Sequence, residues 1–224
     1  MTADFPFIPT PFDRDVERLA TPIEHPAEAL VDPPMAGDIR ALLALTDTVE
    51  RHGAGEVRIV AREDDYAGDH KEYVLAPFAH PTESRFSDGS YGVLYAGLAA
   101  ETALRESVYW LTRFFRDGAM PAGVIATKIQ LTLRACAEVA DVRTASGGIA
   151  SIYDPDDYLI SRRCGTQMRE LRHDGIWYDS VRHRGGEYLG LFVPRVVNNV
   201  RIASRLELQW DGARFGAVKT VRAL

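Results

Sequence analysis

Residues 84–111 read SRFSDGSYGVLYAGLAAETALRESVYWL, and this stretch decides the fold. The run Ser-Asp-Gly-Ser at residues 87–90 indicates a loop, and residues 93–96 are typical of a short strand. Residues 99–115 form the clearest predicted helix, because their apolar side chains recur at helical spacing. That apolar stripe consists of Leu104, Val108, Leu111 and Phe115.

The flanking sequence mixes helices and strands. Upstream, it predicts a helix at residues 36–52 and strands at 56–62 and 71–78. Downstream, it predicts a helix at 155–171 and strands at 124–133, 138–142, 176–181, 188–193, 206–210 and 215–221. The last four strands form two hairpins, since Gly185-Gly186 and Asp211-Gly212 are typical turn residues. Because the elements do not alternate strictly, we expect an α+β domain with mixed or antiparallel sheets rather than a doubly wound one.

Proline sets the N-terminal segment apart, because the first 34 residues hold seven of the twelve prolines. Proline fixes φ and removes a backbone donor, so we expect an extended arm rather than a helix. We expect this arm to lie along the domain surface or to contact a partner, and packing on its own domain is the more ordinary outcome for an ordered terminal segment. The sequence is therefore divided into a proline-rich arm at residues 1–36 and a domain at residues 37–224.

The composition is that of one globular domain of 224 residues, with 46% apolar and 26% charged residues. The formal net charge of −6 argues against direct nucleic-acid binding, which requires a basic surface. The two cysteines, Cys136 and Cys164, are too few for a disulfide framework, and with the scattered histidines they predict no metal site. Without a signal peptide or a long apolar run, we expect a cytoplasmic protein that does not enter a membrane.

Three residue types in the opening stretch can carry chemistry. Arg85 falls on the loop, Tyr95 on the strand and Glu106 in the helix. Glu106 lies off the apolar stripe, so it faces a side of the helix that can border a cleft. Spacing alone favours a solvated glutamate that pairs with Arg105 or Arg113, because surface ion pairs of this kind are common.

Ordered motifs give the sequence a family resemblance. Arg105-Glu106-Ser107 spells the triplet that gives RES domains their name. Four other segments resemble the family's elements in the right order: Val57-Arg58-Ile59, Ser84-Arg85-Phe86-Ser87, Val93-Leu94-Tyr95-Ala96 and Tyr178-Asp179-Ser180-Val181-Arg182, followed by the closing strand Leu189-Gly190-Leu191-Phe192. The loop departs from the family pattern, since Ser84, Phe86 and Ser87 replace the usual Gly, Trp and Asn.

The resemblance implies a fold similar to that of ADP-ribosyltransferase toxins and a particular activity. RES domains are toxins of bacterial toxin–antitoxin pairs, and the antitoxin is of the Xre helix-turn-helix type. They break the nicotinamide–ribose bond of their substrate NAD, and ADP-ribose passes to water, phosphate or a protein. The resemblance thus implies an NAD glycohydrolase, a phosphorylase or an ADP-ribosyltransferase, which forms an oligomer with its antitoxin.

By position, the resemblance implies five site residues: Arg58, Arg85, Tyr95, Glu106 and Ser180. Glu106 suits the positive charge that develops on the ribose, and Arg85 with Arg58 suits the pyrophosphate. Tyr95 offers a ring to stack on nicotinamide, and the Ser180 hydroxyl can bond the carboxamide or a phosphate. Glu106, Arg85 and Tyr95 are expected to act in catalysis, whereas Arg58 and Ser180 bind NAD.

Two other readings of the sequence stay open. The altered loop residues fit a catalytically silent RES-like binding module that acts through protein contacts. An unrelated α+β protein acting through protein contacts would explain the N-terminal arm. In the toxin reading, the antitoxin is expected to insert an acidic C-terminal segment that meets Arg85 or Arg58 with a carboxylate.

Overall fold

A computed structural model describes residues 5–22, 66–143 and 150–221. Its strands are β1 (Ile8–Ala20), β2 (Glu83–Ser84), β3 (Ser87–Asp88), β4 (Leu94–Gly97), β5 (Ile125–Asp141), β6 (Gly175–Asp179), β7 (Glu187–Leu191), β8 (Val197–Trp210) and β9 (Phe215–Val221). Its helices are α1 (Lys71–Ala79), α2 (Ala100–Asp117) and α3 (Leu159–Glu170), with short 3₁₀ turns at Ala150–Tyr153 and Pro194–Val196. The predicted helix at 36–52, the predicted strand at 56–62 and the predicted boundary at residue 36 lie outside the described residues.

One seven-stranded mixed sheet organises the fold, in the order β1-β4-β7-β6-β5-β8-β9. β1 also pairs with β5 along its whole length, from Ile8 opposite Asp141 to Ala20 opposite Ile129. This second pairing closes five of the strands into a ring, from which the β8–β9 hairpin extends along β5. β5 and β6 run parallel, and the other described pairs are antiparallel. The α+β architecture predicted from the sequence is confirmed.

Apolar clusters fix the helices on this sheet. The main core gathers side chains from β1, β4, β5, β6 and β7. A second cluster lies under α3, where Cys164 and Met168 belong to the same buried group as Ile176 and Tyr178. A third cluster holds α2 against the β8–β9 hairpin. There the fully buried Phe115 meets Trp210 and Phe215, with ring centroids 5.4 and 4.9 Å away.

The N-terminal segment contributes a full strand of the sheet. Residues 8–20 are extended, as predicted, and this part of the arm packs on its own domain, where Phe12 and Val16 are buried in the main core instead of lying on the surface. Pro9 and Pro11 are tolerated because this end of β1 pairs only with β5, which leaves its other edge open for residues that lack an N–H.

Two further predictions need correction. Residues 71–78, predicted as a strand, form most of α1, where Tyr73, Val74 and Phe78 are buried on one side of the helix. The β-branched and aromatic residues that suggested a strand are overridden by burial at helical spacing. The predicted strands at 124–133 and 138–142 are one continuous strand, β5, because β1 and β8 pair with it across the intervening residues.

Candidate active site

The side of α2 that faces the protein interior carries Glu106. Glu106 is only 9% exposed and shares the buried side with Thr102 and Ala103. The residues of the apolar stripe, in contrast, lie in two different environments. Phe115 enters the third cluster, whereas Leu104 and Val108 border a groove with β9. The helix is therefore turned so that its carboxylate points inward.

The surface ion-pair alternative for Glu106 is excluded by its neighbours. Arg105 pairs with Glu101 one turn earlier at 2.7 Å, and Arg113 lies 3.9 Å from Asp156. Glu106 itself makes no ion pair with any described residue. A buried carboxylate without a cation is costly to maintain, which marks the position as a candidate for function.

Ser180 holds this carboxylate in place. Its hydroxyl donates a hydrogen bond of 2.6 Å to Oε1 of Glu106. Oγ of Ser180 also accepts hydrogen bonds from the backbone N–H groups of Arg182 and His183, at 3.2 and 3.0 Å. The hydroxyl donates its one proton to Glu106 and accepts bonds from the loop, so its main role is to orient the glutamate.

The loop after β6 is itself fastened to α2. His183 Nδ1 lies 2.9 Å from Oγ1 of Thr102, and the backbone of Gly186 bonds that of Ser180 and His183. A Cβ on Gly186 would lie within 2.7 Å of Thr102 Oγ1, so glycine permits this close approach. The contacts across loop and helix keep Ser180 opposite Glu106.

A cluster of three tyrosines, Tyr95, Tyr178 and Tyr188, surrounds the pair. The Tyr188 ring centroid lies 5.9 Å from that of Tyr178 and 6.3 Å from that of Tyr95. Burial raises the pKa of all three phenols, and the Glu106 carboxylate raises those of Tyr178 and Tyr188 further. The hydroxyls therefore stay protonated at neutral pH and can donate hydrogen bonds.

Tyr95 shapes the loop that precedes its own strand. Its hydroxyl lies 2.9 Å from the Ser84 hydroxyl and accepts the backbone N–H of Phe86 at 3.0 Å. The residues that depart from the family pattern are thus well packed. Ser84 bonds Tyr95, Phe86 is fully buried 4.7 Å from the Tyr178 ring, and Ser87 donates to the carbonyl of Tyr91.

Arg85 is buried in the same loop and reaches a different segment. Its Nη1 donates to the carbonyls of Ile152 and Asp154, each at 2.9 Å, and its guanidinium lies 4.5 Å over the Tyr158 ring. Nε and Nη2 make no hydrogen bond to any residue that the structure describes. Arg85 therefore holds the segment before α3 in place through Nη1, and its Nε and Nη2 are available to a ligand.

The structure thus places four of the five predicted site residues, Arg85, Tyr95, Glu106 and Ser180, around Tyr178 and Tyr188, while Arg58 lies outside the described residues. Arg85 is close enough to lower the pKa of both Tyr95 and Tyr178 against the effect of burial. The sequence prediction missed Tyr178 and Tyr188 as site residues. Tyr178 stands two residues before Ser180 in the matched motif, whereas Tyr188 has no signal beyond its place in a predicted strand.

Within residues 5–22, 66–143 and 150–221, no group of three or more His, Cys, Asp or Glu side chains is placed to hold a metal ion. The helices described in these ranges include none with the length and apolar character to cross a membrane.

Fold and site together define an α+β domain with a buried carboxylate–hydroxyl pair ringed by tyrosines. The sequence profile of the RES domain matches residues 57–211, which is well over half of the chain, and the protein belongs to the RES domain family. Among solved structures, the chain is similar to the Mycobacterium tuberculosis MbcT–MbcA toxin–antitoxin complex. The match has 10% identity over 96% of this chain and 87% of that chain, with a TM-score of 0.44. A comparison with curated proteins found no match.

Proposed function

We propose that this RES domain is the toxin of a toxin–antitoxin pair and that it cleaves the nicotinamide–ribose bond of NAD in the cytoplasm. The observation that carries the proposal is Glu106, the central residue of the RES triplet. It is buried, has no cationic partner in the part of the chain that the structure describes, and is oriented by Ser180 at 2.6 Å. ADP-ribose would pass to water, phosphate or a protein.

The chemistry asks for a carboxylate of this kind. Breaking the bond leaves positive charge on the ribose, as in glycoside hydrolysis. A preoriented carboxylate in a site of low dielectric stabilises that charge strongly, because little reorganisation is needed. Nicotinamide leaves as a neutral base, so no strong general acid is required. Ser180 serves as a positioning residue that fixes the carboxylate oxygen.

Binding of the dinucleotide is supported by the groups around the carboxylate. Tyrosine rings can stack on nicotinamide, and their protonated hydroxyls can bond ribose or carboxamide oxygens. Nε and Nη2 of Arg85, which bond none of the described residues, can bind the pyrophosphate in a bidentate manner. Arg58 is proposed as a second pyrophosphate ligand from its motif alone.

A partner follows from the toxin assignment, since a cell that makes this enzyme must restrain it. We propose an Xre-type antitoxin that forms an oligomer with the chain and places an acidic segment near Arg85. Expression of the chain alone should slow bacterial growth, and co-expression of the antitoxin should restore it. Normal growth at high soluble expression would count against the toxin assignment.

Replacement of Glu106 by Gln tests the enzymatic proposal. Glu106→Gln keeps the shape and removes the charge, so NAD cleavage should fall by about 10²-fold or more while the fold is retained. Glu101→Gln is the matched control, because Glu101 lies on the same helix and is exposed. Nicotinamide release is measured by mass spectrometry with partner-free protein, with and without phosphate. Wild-type protein that leaves NAD untouched under all these conditions would refute the activity.

A silent binding module is the second candidate, and one observation favours it. Arg85 Nη1 and the Tyr95 hydroxyl are both engaged in holding loops. Calorimetric titration separates the two functions, because a silent module would bind NAD with no turnover. The binding module would be supported if NAD and ADP-ribose give equal heats of binding in repeated injections and no nicotinamide is released.

A further inference from the structure

Arg18 on β1 is a partly buried cation with no counter-charge among the described residues. Its Nη1 donates to the carbonyl of Tyr95 at 2.9 Å. Its Nε is shielded from solvent, and within the ranges that the structure describes Nε has no hydrogen-bond partner and the side chain makes no ion pair. Burial lowers the pKa of Arg18, yet an arginine stays charged at any physiological pH.

Other arginines in the structure are compensated in ways that Arg18 is not. Arg143, also partly buried, is paired with Asp141 at 2.7 Å and with Glu187, and it stacks on the Trp177 ring. Arg195 is paired with Asp174 at 2.8 Å. Because a partly buried charge without a counter-ion is costly to maintain, Arg18 is suited to bind an anion that none of the described residues supplies.

The position of Arg18 joins this donor to the candidate site. The carbonyl that it holds belongs to Tyr95, a member of the tyrosine cluster. Tyr188 lies within electrostatic reach of both charges, since Glu106 raises the pKa of its phenol and Arg18 lowers it, next to the larger effect of burial. Arg18 and Glu106 therefore act on the same tyrosine from β1 and from α2.

We propose that Arg18 binds an anionic group of the ligand, which under the proposed function is a phosphate of the dinucleotide. Its guanidinium would add a second positive charge and a charge-assisted hydrogen bond to those of Arg85, whose Nη1 is already bonded to two carbonyls. Arg18 lies outside residues 57–211, the part of the chain that matches the family, so no motif could point to it.

Binding without turnover tests this inference. ADP-ribose and inorganic pyrophosphate are titrated into wild-type protein and into Arg18→Gln, which keeps an N–H donor and loses the charge. The affinity for both anions should fall by about ten-fold or more, and it should recover in part in Arg18→Lys. Arg14→Gln is the matched control, because Arg14 is an exposed arginine of the same strand. Nicotinamide affinity should stay unchanged in all variants.

Thermal unfolding without ligand separates a binding role from a structural one. Because the charge of Arg18 has no counter-ion among the described residues, its loss should leave the Tm of Arg18→Gln unchanged or raised. A lowered Tm with unchanged anion affinity would overturn the inference, and so would wild-type protein that binds neither anion. The proposed function fails separately, if wild-type protein binds ADP-ribose yet never cleaves NAD.

Discussion

Gly165 lets α3 approach the loop that carries Arg85, and replacement by alanine tests how tightly the site is built. A Cβ at this position would lie 2.1 Å from the carbonyl oxygen of Phe86 and 2.8 Å from its carbonyl carbon. Ordinary contact requires about 3.4 Å, so the helix and the loop must separate by about 1.3 Å. Both contacts are backbone atoms, which cannot turn aside as a flexible side chain would.

The sign of the change in the free energy of unfolding shows whether α3 really lies this close to the Arg85 loop. In an open helix interior, Gly→Ala stabilises by about 1 kcal/mol. Overpacking of a tight core costs about 1–3 kcal/mol. Gly165→Ala should therefore lower the free energy of unfolding by up to about 2 kcal/mol. NAD cleavage should fall by about 10²-fold, because a displacement near 1 Å at the Arg85 loop spoils the alignment of reacting groups.

Urea unfolding and nicotinamide release measure the two effects. Gly216→Ala is the control, because a Cβ at Gly216 in β9 meets nothing within 4 Å. It should change stability and activity little. A Gly165→Ala protein that is more stable than wild type and equally active would refute the close approach, and with it the account of how the loop is held.

Three further predictions concern the rest of the fold. Phe115→Ala should lower the free energy of unfolding by about 3–5 kcal/mol in a urea titration, because the ring is fully buried; a loss below 1 kcal/mol would contradict this. A thiol reagent at neutral pH should label the exposed Cys136 first and Cys164 only on unfolding, because burial raises the pKa of Cys164 to about 12; equal rates would contradict the placement. Burial raises the pKa of Asp141, but hydrogen bonds from Arg143 outweigh this and bring it below the ordinary 3.8, so its stabilisation is present above that pH and lost as the pH falls through the lower value. Asp141→Asn should thus be less stable than wild type at pH 7, and the difference should shrink towards pH 2; a constant difference in Tm would contradict the pairing.

Local signals predicted the elements that depend on local order. The run from residue 84 to 111 contains a loop, a strand and a helix where the structure has β3, β4 and α2, because turn residues and an apolar period mark each one. Both predicted hairpins are also present. α1 was missed because its residue types favour a strand, while its burial follows from packing that the sequence does not display.

Long-range contacts set the rest of the site. The burial of Glu106 depends on Ser180, 74 residues away along the chain. It also depends on the orientation of α2, which places Leu104 and Val108 at a groove and not in the core. Helical spacing alone predicted that the apolar stripe, and not the side with Glu106, faces the core. Only the ordered RES motifs led to Glu106, and Arg18 carries no motif at all.

The pairing of β1 with β5 has a consequence for the order in which the chain folds. Ala20 pairs with Ile129 and Ile8 with Asp141, so the ladder of β1 cannot begin to form on the ribosome until more than 100 further residues have been made. Contacts so distant in sequence slow folding, and the unpaired strand is exposed meanwhile. Ser180 follows Glu106 by 74 residues, so the carboxylate gains this partner only after that stretch has been made. Under the proposed function, the nascent chain would stay inactive on the ribosome until the segment that carries Ser180 has emerged.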